Sequence, residues 1–139
     1  MRVVLDTNIF ISAFLSREGV PNLVLELWFE RKYSLVTSEY QIEELRDVTR
    51  RDEIKPYLTP HAVGRVINLL RTDAVVLGDL PQVDLSPDPK DNPILAAGIE
   101  GQVQYIVSGD KGDLLALEKV MGIPIVTARE FMKTFAKQP

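Results

Sequence analysis

Short β-branched runs that alternate with stretches of helical periodicity constrain this chain more than any other feature. Apolar, strand-like segments recur at Arg2 to Leu5, Tyr33 to Thr37, Ala74 to Leu77, Gln104 to Val107 and Ile123 to Val126. Between most of them the sequence reads as helix, from Asn8 to Leu15, Pro21 to Arg31, Ser38 to Arg51, Pro60 to Arg71, Pro93 to Glu100 and Asp113 to Val120. A last helix is expected from Ala128 to Phe135. Strands separated by helices imply right-handed crossovers and a sheet covered on both faces. The expectation is therefore an α/β fold of three layers, α/β/α, around a central, mainly parallel sheet of about five strands. Ser38 and Gln41 have the spacing of a capping box, and Pro60 and Pro93 suit first helical positions. Gly78 to Asn92 carries Pro81, Pro87 and Pro89 and reads as a surface loop, so residues 1–139 are expected to form a single domain.

Ligand sites in such sheets lie beyond the carboxyl ends of the strands. Four acidic positions stand just after strand-like runs or at helix starts: Asp6 in VVLDTN, Glu44 in IEELRDV, Asp91 in DPKDNP and Asp110 in IVSGDKGD. Carboxylates gathered there repel one another unless divalent cations sit among them, which points to metal chemistry and a hydrolytic site. The absence of cysteine excludes a disulfide framework, a thiolate zinc site and a cysteine nucleophile. Hard oxygen ligands remain, because the single histidine, His61, follows Thr59 and Pro60 at a helix start and reads as a surface residue. The net charge of −4 decides little, since bound cations would neutralise much of the acid. The opening MRVVLDTNIFISAFL is interrupted by Asp6 and Asn8 and is expected to be a first core strand, not a secretion signal. No apolar run approaches the ~20 residues needed to span a bilayer, so a cytoplasmic protein with no membrane partner is expected.

Each acid also has an ordinary structural role open to it. Asp6 can cap the helix that follows it. Glu44 falls at about 100° per residue inside an apolar arc defined by Tyr40, Leu45 and Val48, whereas Glu43 points outward; a partly buried ion pair with an arginine is the alternative. Asp91 precedes Asn92 and Pro93, where the helix dipole favours an anion in any case. Asp110 and Asp113 can face one site from a single turn, or cap the helix near Asp113. Asn8 and Ser108 can hold metal-bound waters or orient a ligand, or make turn and cap hydrogen bonds. Arg46, Arg50 and Arg51 share the helix of Glu44, and Lys90 and Lys111 flank Asp91 and Asp110. These basic side chains suit the phosphates on either side of a scissile bond, or only solvate the surface. Trp28, Phe29, Phe131 and Phe135 lie at helical spacings that suit core or dimer packing.

Taken together, LDTNIFISA, SEYQIEELRDV, DPKDNPILAAG and YIVSGDKGDLL resemble the PIN-domain family of ribonucleases, in particular its bacterial and archaeal VapC-like toxin branch. The resemblance covers essentially the whole chain. On its pattern Asp6, Glu44, Asp91 and Asp110 match the four acidic site positions, and Asp113 and Asn8 match frequent auxiliaries. One departure is Gly112, which together with Lys111 separates Asp110 from Asp113 where many relatives run the acid directly on. The resemblance implies a Mg²⁺- or Mn²⁺-dependent endonuclease acting on single-stranded RNA, often a homodimer, and often silenced by an antitoxin encoded beside it. One or two ions would generate a hydroxide from water and stabilise charge during in-line attack on the phosphodiester. Three rivals remain: a nuclease of RNA maturation, a non-catalytic scaffold that binds RNA or protein, and a haloacid-dehalogenase-like phosphatase with Asp6 as nucleophile. Asn8 counts against the last, because that family places a second aspartate there.

Overall fold

The structure, a computed structural model, describes residues 1–109 and 112–136. Six strands form one sheet: β1 (Arg2–Leu5), β2 (Ser34–Ser38), β3 (Val75–Leu77), β4 (Tyr105–Ser108), β5 (Lys119–Val120) and β6 (Ile123–Thr127). Their spatial order is β3-β2-β1-β4-β6-β5, and every pairing is parallel except the antiparallel β5–β6 hairpin. The helices are α1 (Thr7–Leu15), α2 (Val20–Phe29), α3 (Glu39–Thr49), α4 (Pro60–Asp73), α5 (Asn92–Glu100), α6 (Asp113–Leu117) and α7 (Ala128–Ala136).

Alternation along each strand divides the core in two, because successive side chains leave opposite faces of a sheet. Val3, Leu5, Leu35 and Val107 point to one face, where Phe10 of α1, Leu25 of α2, Ile42 of α3, Leu70 of α4 and Phe131 of α7 cover them. Val4, Val36 and Ile106 point to the other, under Leu95 and Ala97 of α5 and Leu114 of α6. The result is the expected α/β/α arrangement of three layers. Gly98 and Gly101 allow α5 to lie close against the sheet: a Cβ on either would come within 2.7 Å of Ile106 or Val36.

The sheet, expected with about five strands, has six among the described residues, and one expectation needs correction: the helix expected from Asp113 to Val120 ends at Leu117. Glu118 turns the chain out of the helix at φ 61°, and Met121 and Gly122, at φ 49° and 79°, form a two-residue turn. Two consecutive positive φ angles match the twist of a tight hairpin, which places Lys119 and Val120 in a strand against Ile123 and Pro124. Among the described residues no helix is long and apolar enough to cross a membrane.

From β1 the chain moves outward through β2 to β3, then returns to place β4 on the other side of β1. The β1–β4 boundary is thus the switch point of the sheet, where diverging connections leave a crevice beyond the strand ends. Leu5 pairs with Val107 across it, and the Asp6 N–H donates to the Val107 carbonyl at 2.8 Å. The next residues on the two strands, Asp6 and Ser108, therefore meet at the crevice.

Candidate metal centre

Asp6 sits at the end of β1 and enters α1 with extended φ and ψ, yet its side chain makes no cap hydrogen bond. Its carboxylate instead accepts a hydrogen bond of 3.0 Å from the Ser108 hydroxyl. Burial raises its pKa, and the nearby charges of Asp91 and Glu44 raise it further, while the Ser108 bond and the Thr7 N–H oppose them. A carboxyl under such a penalty is relieved by taking up a proton or by a nearby cation.

Glu44 is held through a chain of buried polar groups. The Thr37 hydroxyl donates to Gln41 Oε1 at 2.5 Å, and Gln41 Nε2 donates to the Leu5 carbonyl at 2.6 Å and to Thr7 Oγ1 at 3.4 Å. The Thr7 hydroxyl then donates to the Glu44 carboxylate. Glu44 is set back from the cavity wall, but its charge reaches both Asp6 and Asp91. The ion pair open to it in the sequence is not made: Arg46 pairs at 3.3 Å with Glu43, at the exposed surface. The inward stripe of α3 also differs from expectation. Tyr40 is exposed, and Gln41, Ile42, Leu45 and Thr49 are the buried residues. Ser38 caps α3 by accepting from the Gln41 N–H, but Gln41 does not return the bond, because its side chain is committed to β1 and Thr7.

Asp91 ends a short 3-10 turn, Pro89–Asp91, directly before α5. It makes no side-chain cap bond and accepts from the Ser86 hydroxyl at 3.4 Å. Burial raises its pKa, with Asp88 the strongest of the neighbouring charges, ahead of Asp113 and Glu44. Asn92 closes the loop by accepting the N–H groups of Leu85 and Ser86 at 3.1 and 3.0 Å. Carboxylate oxygens of Asp88, Asp91 and Asp113 lie within 4.8 Å of one another. They share a cavity of about 260 Å³ with Asp6, Asn8 and Ser108.

The structure thus brings Asp6, Asp91, Asp113, Asn8 and Ser108 to one cavity with Glu44 behind it. Asp110 and Lys111 lie outside the described residues. Arg46, Arg50 and Lys90 do not line this cavity. Sequence reasoning missed Asp88, Thr7 and Gln41. The motif DPKD, with two acids three residues apart around a proline, carried a signal for Asp88, and a glutamine beside Ile42 on the inward side of a helix carried one for Gln41. As a donor set, several carboxylates with no thiolate or imidazole fit a hard divalent cation that takes oxygen ligands.

The class defined by fold and site together is a mainly parallel α/β sheet that gathers carboxylates at its switch point, a donor set suited to a divalent cation. More narrowly, the chain belongs to the PIN domain family, whose profile matches residues 2–112. PIN domains are generally nucleases that work with divalent metals. An uncharacterized protein of Methanocaldococcus jannaschii is 27% identical over 146 residues, an alignment that takes in 99% of this chain and 93% of the relative.

Proposed function

We propose that the chain is an endoribonuclease that cleaves phosphodiester bonds of single-stranded RNA with Mg²⁺ or Mn²⁺, and that it is the toxin of a toxin–antitoxin pair acting in the cytoplasm as a homodimer. The observation that carries the nuclease reading is the convergence on one cavity of Asp6, Asp88, Asp91 and Asp113, from three separate segments, with the pKa values of Asp6 and Asp91 raised. Asp6, Asp91 and Asp113 would hold the ion, joined by Asp88, with Glu44 and Asp110 completing the acidic set. When bound, the ion supplies a nucleophile from water at neutral pH and offsets charge on the phosphoryl and leaving oxygens. Ser108 and Thr7 orient the carboxylates of Asp6 and Glu44, so less reorganisation is needed as charge develops. Asn8, exposed on the cavity wall, would donate to substrate or water.

The test follows cleavage of a mixed pool of single-stranded RNAs with Mg²⁺, with Mn²⁺ and with EDTA, comparing wild type with Asp6→Asn. Metal-dependent cutting that the substitution abolishes supports the reading. Inert wild type with both metals, after any copurifying antitoxin has been stripped away, would instead favour a scaffold that binds RNA or protein. The toxin role rests on family resemblance and has its own check: induced expression should arrest growth, and Asp6→Asn should relieve the arrest. Light scattering tests the homodimer.

A further inference from the structure

A second groove, of about 540 Å³, adjoins the acidic cavity. The segment from Asp88 to Asn92 is their common wall: it gives Asp88 and Asp91 to the cavity, and Pro89 and Asn92 to the groove. Tyr40 also lines the groove, 51% exposed, one turn before Glu44 on α3 and outside that helix's buried stripe. Leu80 and Val83, which pack against the second core cluster, supply apolar surface there. Among the described residues no basic side chain lines the groove and Asp79 does, which disfavours a phosphate there and favours a neutral, flat, apolar ligand.

We propose that this groove is a nucleobase subsite, in which Tyr40 stacks on an unpaired base of the strand whose phosphate lies at the acidic cavity. The proposal rests on the nuclease reading above and deepens it. Residues one helical turn apart are ~5–6 Å apart at Cβ, so Tyr40 and Glu44 lie within reach of neighbouring nucleotides of one chain. Aromatic stacking accepts any base, since every base has a π-face, and it requires an unpaired one. Tyr40 therefore selects single strands without selecting sequence.

The test measures kcat and KM for wild type, Tyr40→Phe and Tyr40→Ala on a single-stranded RNA, and on copies with one abasic nucleotide walked across the cut site. Tyr40→Phe should match wild type, and Tyr40→Ala should lose about tenfold in kcat/KM, mainly through KM. At one position the abasic nucleotide should cost wild type a similar factor and cost Tyr40→Ala nothing further. Unchanged kinetics in Tyr40→Ala, or equal abasic losses in both proteins, overturn the subsite and leave the groove to a peptide or a second copy of the chain. If wild type cuts nothing, the nuclease reading fails separately, and anisotropy of the same RNAs on Asp6→Asn decides the subsite. Binding weakened both by Tyr40→Ala and by one abasic position sustains it, and binding indifferent to both overturns it.

Discussion

The two sides of the acidic cavity are built by different means. Asp6 and Glu44 are fixed by long-range contacts: Ser108 reaches Asp6 from β4, and Thr37, Gln41 and Thr7 form a buried chain across β2, α3 and α1 to Glu44. Asp88 and Asp91 are fixed locally, by a turn in which the Asp88 carboxylate accepts the Lys90 N–H and Asn92 gathers Leu85 and Ser86. The first arrangement exists only when the sheet is complete, whereas the second is a property of one loop. Orientation of the acids therefore depends on the core on one side and on a surface segment on the other. Substitutions on the two sides should separate catalytic orientation from metal affinity.

The largest effect is expected at Asp6, which combines both demands. Asp6→Asn keeps the shape and removes the charge, and cleavage should fall by at least ~10²–10³-fold, the scale of losing one preorganised electrostatic group. Single-turnover cleavage at saturating metal checks this, and residual activity above about a tenth of wild type would break the proposed role.

Next in size is Thr7→Val, which leaves Glu44 without its donor and Gln41 Nε2 without one acceptor. Activity should fall ~10–100-fold, the usual cost of losing a group that orients a metal ligand. Stability should fall by about 1–3 kcal/mol, because Gln41 is buried. Urea unfolding and cleavage assays on Thr7→Val and Thr7→Ser separate the two effects, since serine retains the hydroxyl. Asp88→Asn should act differently. The concentration of Mg²⁺ or Mn²⁺ for half-maximal rate should rise about tenfold with kcat at saturating metal preserved. A fall in kcat as large as that of Thr7→Val would erase the distinction between the two sides.

The same division explains what the sequence made legible. Periodicity of 2 and 3.6 is a local property, and among the described residues it marked five of the six strands and all seven α-helices; β5 escaped because two residues carry no periodicity and its signal was the Met121–Gly122 turn. Asp6 and Asp91 stand out beside strand and helix boundaries that can be read locally. Thr7 and Gln41 do not, since their partners lie 34 and 37 residues away in the chain. Glu44 was distinguished from Glu43 by an arc containing Tyr40, yet the real stripe is rotated toward Gln41 and Ile42. The inward side of α3 is partly polar, so apolar residues alone misplaced its centre. Asp88 depends on how the loop closes around Asn92, which spacing along the chain does not reveal.

The smallest effect expected concerns the metal-free protein. The pKa of Asp6 is raised in the folded state, chiefly by burial and then by Asp91 and Glu44. A carboxyl with a raised folded pKa contributes stability below its unfolded value, and that stability is lost as pH rises through the folded value. In EDTA at neutral pH, wild type should therefore melt below Asp6→Asn, and the gap should narrow as pH falls through the raised pKa. Asp91→Asn should behave alike, and Asp88→Asn should give part of that relief, because Asp88 is the leading charge acting on Asp91. Added Mg²⁺ or Mn²⁺ should reverse the order at neutral pH, since a cation bound to the folded state stabilises wild type by mass action and is held less well by Asp6→Asn. Melting curves for the three variants with and without metal would check both signs; a wild type more stable than Asp6→Asn in EDTA would mean that Ser108 and the Thr7 N–H outweigh the crowding of charge around Asp6.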